Sequence, residues 1–195
     1  MEARRCHIIA LVGISGSGKT TLARILAERL GYQYIELDHW FKRDKPVFPL
    51  SNGQSVKNWD RFDVIDWAGF EYQVKQACKT HPGVVIAGFA LTADSIPGGA
   101  DHTILLRTGH TADDIIKRAA DARKVSKRYE GPAAERDKLY VRERVYPFYQ
   151  EVLKKLAPHT TLDVFDEKGQ RIPIEKLIDE ILTIISPTKH TLQKF

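Results

Sequence analysis

Two hydrophobic rhythms alternate along this chain. Short continuous apolar runs, such as Cys6 to Val12 and Gly83 to Phe89 (GVVIAGF), suit parallel strands buried on both faces. Between such runs the apolar positions recur at helical spacing. Leu22, Ile25, Leu26 and Leu30 share one face of a helix over Thr20 to Leu30, and Gly31 follows as its stop. The same reading predicts strands at Tyr32 to Leu37, Thr103 to Arg107 and Thr160 to Phe165. It predicts helices at Asp63 to Lys79, with Asp63 as N-cap, at Thr111 to about Arg128, and at Ile174 to Ile185. Ala133 to Leu156 is also helical, but Pro147 should kink or divide it, because proline has no N–H to donate. Asp38 to Asn58 reads as a loop rich in Lys, Pro and Gly, and loops of that length are usually functional.

Strands alternating with helices predict an α/β fold of three layers, a mostly parallel sheet with helices on both faces. One domain over residues 1–186 is expected, with a loose tail at 187–195. Ligands of such sheets sit outside the carboxyl ends of the strands. The segments to search are therefore those following Gly13, Asp38, Gly88 and Thr108.

Composition narrows the class. The chain has 195 residues, 43% hydrophobic and 28% charged, which is the profile of a folded globular protein. Cys6 and Cys78 lie far apart with no CxxC pair, so neither a disulfide framework nor a zinc site is expected, as suits a reducing cytosol. The seven histidines are scattered without metal-type spacing. Arg4 and Arg5 precede an apolar run too short for a signal peptide, and it ends in a glycine-rich loop. No stretch reaches the roughly 18–20 apolar residues of a bilayer span. A cytoplasmic protein with no membrane partner is the expectation, as a monomer or weak homodimer.

The net charge of +5 changes the picture only through its location. From Lys117 to Arg144 ten Lys/Arg face five Asp/Glu, a surplus as large as that of the whole chain. A short basic segment of this kind suits nucleotide phosphates better than a nucleic-acid duplex, and no nucleic-acid partner is expected.

The chemistry begins at Gly13 to Thr20 (GISGSGKT), which satisfies GxxxxGK[ST] between a buried strand and a helix. Glycines let consecutive N–H groups of Gly13, Ser15, Gly16, Ser17, Gly18, Lys19, Thr20 and Thr21 approach phosphate oxygens. The helix start adds the positive end of its dipole. Lys19 supplies a point charge for the β- and γ-phosphates of ATP, and the Thr20 hydroxyl a ligand for Mg²⁺. Asp38 ends the second strand on the same sheet edge, where a carboxylate could accept the proton of an attacking hydroxyl. Taken alone, it reads sooner as a helix cap or solvated turn.

GISGSGKTTLA, then LDHWFK, NWD, GF after a strand, and YPFYQEVLK together resemble the uridine kinase and nicotinamide riboside kinase family of P-loop kinases, with the nicotinamide riboside branch nearer. The resemblance runs from about residue 7 to about 182 and implies phosphorylation of a ribose 5′-hydroxyl by ATP and Mg²⁺. It implies that Asp38 is the catalytic carboxylate, lying near Mg²⁺, and that Asp60 binds the ribose hydroxyls. Trp59 takes the place of an aromatic that stacks on the base, with Phe41 near the ribose and Tyr129 downstream of the lid helix. For Trp59 and Phe41, packing in the core is the competing reading. A nicotinamide cation would be held on such rings by cation–π attraction. The basic segment at about 117–144 matches the family's lid, and Arg123 is its best candidate for the phosphates or adenine.

Two departures from that pattern stand out. The third long strand should end in Glu-Gly with the glutamate beside Mg²⁺, yet here it ends Ile86-Ala87-Gly88. Losing that acid implies catalysis weaker by ~10–100-fold. The lid helix reads Lys117-Arg118-Ala119-Ala120-Asp121 before Arg123, a thinned arginine cluster. A kinase of another small alcohol or nucleotide, and an ATP-binding regulator with little catalysis, remain open alternatives.

Overall fold

The computed structural model describes residues 5–186; the tail expected from Pro187 lies outside them. Strand β1 (His7–Val12) leads through the glycine-rich loop into helix α1 (Lys19–Leu30), then β2 (Gln33–Glu36). A short antiparallel pair, β3 (Val47–Pro49) and β4 (Ser55–Lys57), precedes α2 (Trp67–Thr80), β5 (Gly83–Gly88) and β6 (His102–Arg107). The chain continues as α3 (Ala112–Lys127), α4 (Gly131–Tyr140), α5 (Tyr146–Lys155), β7 (Thr160–Asp163) and α6 (Ile174–Ile185).

The five main strands form one parallel sheet in the order β2-β5-β1-β6-β7, so β1 sits at the centre between β5 and β6. Period-two alternation divides each strand between two cores. Ile9, Leu11, Val85, Ala87, Ile104 and Leu106 face α1 and α6. Ala10, Val12, Ile35, Val84, Ile86 and Leu105 face α2 to α5 on the other side. Because both faces are covered, the strands carry the unbroken apolar runs seen in the sequence. Three layers result, as the alternation predicted.

The local expectations held where the cap chemistry is explicit. Gly31 closes α1 in the left-handed conformation (φ 65°). Thr111 Oγ1 accepts from the Asp114 N–H at 3.2 Å to start α3. Pro147 does divide its helix: a wide π-type turn at Val141–Val145 separates α4 from α5, with Pro147 in the first turn of α5, where a missing donor costs little.

Three expectations need correction. The segment Asp38 to Asn58 is not all loop: a 3₁₀ turn at Leu37–Trp40 and the β3–β4 hairpin lie within it, the pairs being too short for alternation to register. The N-cap of α2 is Asp66, which accepts from the Gly69 N–H at 3.1 Å. Asp63 is engaged instead by the Arg61 guanidinium at 2.8 and 2.6 Å, ahead of the helix. Finally, Cys6 and Cys78 are joined as a disulfide with their Cα atoms 5.3 Å apart. Their separation of 72 residues in the chain hid the fact that β1 begins beside the end of α2.

Candidate active site

The phosphate loop lies at the carboxyl end of β1, in the middle of the sheet. Gly16 and Gly18 take positive φ of 83° and 86°, which lets the backbone curl before α1 begins. At Gly13 the constraint is space: a Cβ there would sit 2.6 Å from Ser17 Oγ and 2.9 Å from the Leu106 carbonyl. Ser17 N–H donates to the Ile14 carbonyl at 3.1 Å, closing the turn. The Ser17 hydroxyl itself is buried without a hydrogen-bond partner. Lys19 and Thr20 are half-buried, and Thr21 is exposed. Among the described residues no group of three or more His, Cys, Asp or Glu side chains could hold a metal ion.

One basic side chain missed from sequence reaches this loop, and a second stands at the neighbouring end of β6. Arg171, in the segment after β7, donates to the Gly16 carbonyl at 2.8 Å. Arg118 of α3 donates to the Thr108 carbonyl at the end of β6 and stacks on Phe165, 4.0 Å from the ring centroid. Beside Arg118 lies a cavity of about 870 Å³, lined by Thr108, Gly109, Arg118, Phe165, Gly169 and Ile172 among others. Helix α3 presses on the loop, since a Cβ on Gly16 would meet Ala122 Cβ at 2.5 Å. The surplus of positive charge around Arg118 was visible in the sequence; nothing there marked Arg171.

Asp38 stands exposed in the 3₁₀ turn directly after β2, at the same edge of the sheet. Phe41 and Trp59 meet edge to face, with centroids 5.4 Å apart. Trp59 is 41% exposed, and the Lys45 ammonium lies 3.7 Å from its ring centroid. The outer face of the indole therefore already attracts a cation. Phe41 is half-buried and packs against the core, as the competing reading has it.

Asp60 is buried, and its Oδ2 accepts from the Tyr140 hydroxyl. Burial pushes this carboxyl above its ordinary range, while the Tyr140 hydrogen bond and the charges of Arg123, Arg144 and Lys127 oppose the rise. Arg144 donates to the Asp60 carbonyl and, at 3.3 Å, to Asn58 Oδ1, so the Asn58–Asp60 segment is clamped from the helical side. Tyr140 and Arg144 are four residues apart and share a helix face; only the fold brings that face to Asp60.

Arg123 makes a bidentate pair with Asp137 at 2.9 and 2.8 Å, largely buried. The ion pair raises its guanidinium pKa despite the opposing effect of burial. It lines a cavity of about 310 Å³ together with Lys57, Trp59, Lys127, Tyr129 and Arg136. Arg123 and Tyr129 are thus gathered beside Trp59.

Residues 8–86 match the family model described as AAA domain, less than half of the chain. The shikimate kinase from Acinetobacter baumannii, solved with shikimate, superposes with a TM-score of 0.50 over 96% of this chain and 97% of its own, at 20% identity. A sugar kinase from Janibacter sp. HTCC2649 gives a TM-score of 0.50 over 91% and 93%, at 23% identity. This is a P-loop kinase fold. In sequence, shikimate kinase 2 of Yersinia enterocolitica is 27% identical over 188 residues, covering 93% of this chain and 97% of that one. A probable gluconokinase of Schizosaccharomyces pombe is 29% identical over 85 residues, 44% of each chain. These relatives support a P-loop kinase and leave the nucleoside branch as a matter for proposal. Among the described residues no helix is long and apolar enough to cross a membrane.

Proposed function

We propose that this chain transfers the γ-phosphoryl group of ATP to a hydroxyl of a small polyhydroxylated acceptor, with a ribonucleoside of the nicotinamide riboside type as first candidate. The observation that carries the reading is the shared sheet edge of the phosphate loop and Asp38, with the exposed ring of Trp59 meeting Phe41, three residues on from Asp38. Loop amides and Lys19 would hold the triphosphate, and Arg118 and Phe165 offer flat surfaces for the purine in the adjoining cavity. Thr20, with Asp38, would hold Mg²⁺; when bound, the ion neutralises charge on the β- and γ-phosphates. The acceptor hydroxyl gives its proton to the Asp38 carboxylate as its oxygen bonds to the γ-phosphorus. The bond from that phosphorus to the bridging oxygen breaks, and ADP leaves.

On the acceptor side, Trp59 would stack on a flat base, and a cationic ring would displace the Lys45 ammonium from the indole face. Asp60 would orient the sugar from within the Tyr140–Arg144 clamp. Arg123, expected at the phosphates or adenine, is paired with Asp137 in the cavity that Trp59 lines, and there it and Tyr129 would contribute from the lid.

A second reading has its own support. Lys57, Arg123, Lys127 and Arg136 gather around one cavity, and the full-length relative phosphorylates shikimate by name. An acceptor bearing a carboxylate would suit that lining. ATP consumption measured against nicotinamide riboside, uridine, shikimate and gluconate separates the readings. Turnover dependent on a riboside supports the first, and turnover only with the hydroxy acids replaces it with the second. ATP binding without turnover on any acceptor would make the chain a nucleotide-binding regulator.

A further inference from the structure

At the amino edge of the sheet, away from the phosphate loop, the Cys6–Cys78 bridge forms part of a cavity wall. The cavity holds about 530 Å³, a volume typical of small-molecule sites. Both cysteines are half-buried: they pack against the core and also line the cavity. A disulfide placed so is open to attack without unfolding, because exchange needs only access of a thiolate to one sulfur.

Three cations share the lining. Lys75 and Lys79 flank Cys78 on α2, and with Tyr72 they occupy one face of that helix. Arg5 precedes Cys6 at the start of β1. Among the described residues the one carboxylate of the lining is Asp101, and it is already engaged. Its Oδ1 meets the Arg5 guanidinium at 3.0 Å, and its Oδ2 accepts from the Ile8 N–H at 2.7 Å. Lys75 is paired with Glu71, one turn back on α2. The Lys79 ammonium donates to the neutral Gln76 side chain at 3.4 Å and pairs with no carboxylate among the described residues. The disulfide is therefore approached past a surplus of positive charge.

We propose that Cys6–Cys78 is a thiol-exchange site, and that the cavity admits a small thiol bearing carboxylates to it in the folded protein. The attacking thiolate bonds to one cysteine sulfur as the S–S bond breaks, and the other cysteine leaves as a thiolate that takes a proton from water. A second thiolate attacks the small-molecule sulfur of this mixed disulfide and frees the remaining cysteine, which is protonated in turn. The protein gains two electrons and two protons, and two thiols lose them to become one symmetrical disulfide. Run backwards, the same steps close the bridge. Because the bridge ties the start of β1 to the end of α2, the stability of the fold then follows the surrounding thiol pool. The site is independent of the phosphate loop, and its test is independent of turnover.

The oxidised full-length protein is mixed with glutathione, 2-mercaptoethanol or cysteamine, whose net charges are negative, zero and positive. Protein thiols are counted by mass spectrometry after quenching with N-ethylmaleimide. Each rate is divided by that reagent's rate on hydroxyethyl disulfide, a neutral reference that removes differences in nucleophilicity. The normalised rates should fall in the order given, over a span of about 3- to 10-fold. They should converge at about 1 M salt, where charges are screened beyond roughly 3 Å. Below the unfolding transition the glutathione rate should stay flat with urea, since attack requires no opening. Lys79→Glu should slow glutathione severalfold and leave 2-mercaptoethanol unchanged; should it fail to fold, Lys79→Gln gives a smaller loss of the same kind. Equal normalised rates, a rate that climbs with urea as unfolding does, or a folded Lys79 variant with wild-type glutathione kinetics would each overturn the proposal. So would a chain that forms no Cys6–Cys78 bridge under oxidising conditions.

Discussion

Arg171 donates a hydrogen bond to the carbonyl oxygen of Gly16 at 2.8 Å, linking two residues 155 positions apart in the chain. The contact places a guanidinium against the outer wall of the phosphate loop, and a Cβ on Gly18 would collide with it. A charged donor so placed both fixes the loop and adds positive potential where the triphosphate arrives. Arg171→Ala should therefore weaken ATP binding by about 10- to 100-fold, from a charged hydrogen bond of about 1.5–3 kcal/mol. Calorimetric titration with ATP checks it. Unchanged affinity would make Arg171 a surface residue that happens to rest on the loop.

Asp38 sits exposed at the carboxyl end of β2, and the proposed chemistry asks it to take the acceptor proton. Asp38→Asn keeps shape and hydrogen bonding but removes the base. Turnover should fall by about 10²–10⁴-fold, with ATP affinity in EDTA unchanged. Steady-state kinetics beside a binding isotherm separate the two quantities. Retained turnover would move the proton-accepting role elsewhere.

The Asp60 carboxyl has a raised pKa in the folded protein because burial disfavours its charge. A group raised on folding contributes stability that is fully present below its unfolded pKa and is lost as pH rises through the folded value. Wild-type stability should thus carry a decline on going up from the ordinary carboxylate range. Asp60→Asn, which can still accept from Tyr140, should remove that component. Thermal unfolding of both proteins from acid to neutral pH tests this, and parallel curves would show that the Asp60 charge costs nothing on folding.

The Cys6–Cys78 bridge ties the beginning of β1 to the end of α2, on the edge of the sheet away from the phosphate loop. Closing a loop of 72 residues stabilises the fold by about 4 kcal/mol on chain-entropy grounds. Reduction should lower the Tm by roughly 10 °C for a chain of this size. Because the bridge is remote from the site, ATP affinity well below the Tm should be unaffected. Unfolding scans with and without reductant, with Cys78→Ala as a control, decide the matter. Equal melting temperatures would mean that the bridge contributes no stability.

Much of the architecture could be read from local pattern. The helix over Ile174 to Ile185 falls where its periodicity put it, and Thr111 and Gly31 act as the caps they resemble, because capping depends on neighbours within four residues. Boundaries slipped where two local candidates competed. Asp63 and Asp66 both suit an N-cap, and a guanidinium two residues away claimed the first. The proposed site was legible in part. Asp38, Trp59 and Asp60 stood out by motif, whereas Tyr140, Arg144, Arg118 and Arg171 entered only through contacts made by folding.

The amino-acid order alone determined the phosphate loop, since its glycines, lysine and threonine act through eight consecutive residues, and determined the alternation of strands and helices that builds three layers. Strand order β2-β5-β1-β6-β7 was decided only in three dimensions, and that order makes Glu36 a neighbour of Ala87 and brings Cys6 to Cys78. The reason is physical. Turn and helix chemistry acts over a few bonds, whereas which strands lie side by side depends on how the apolar faces of the whole chain are buried together.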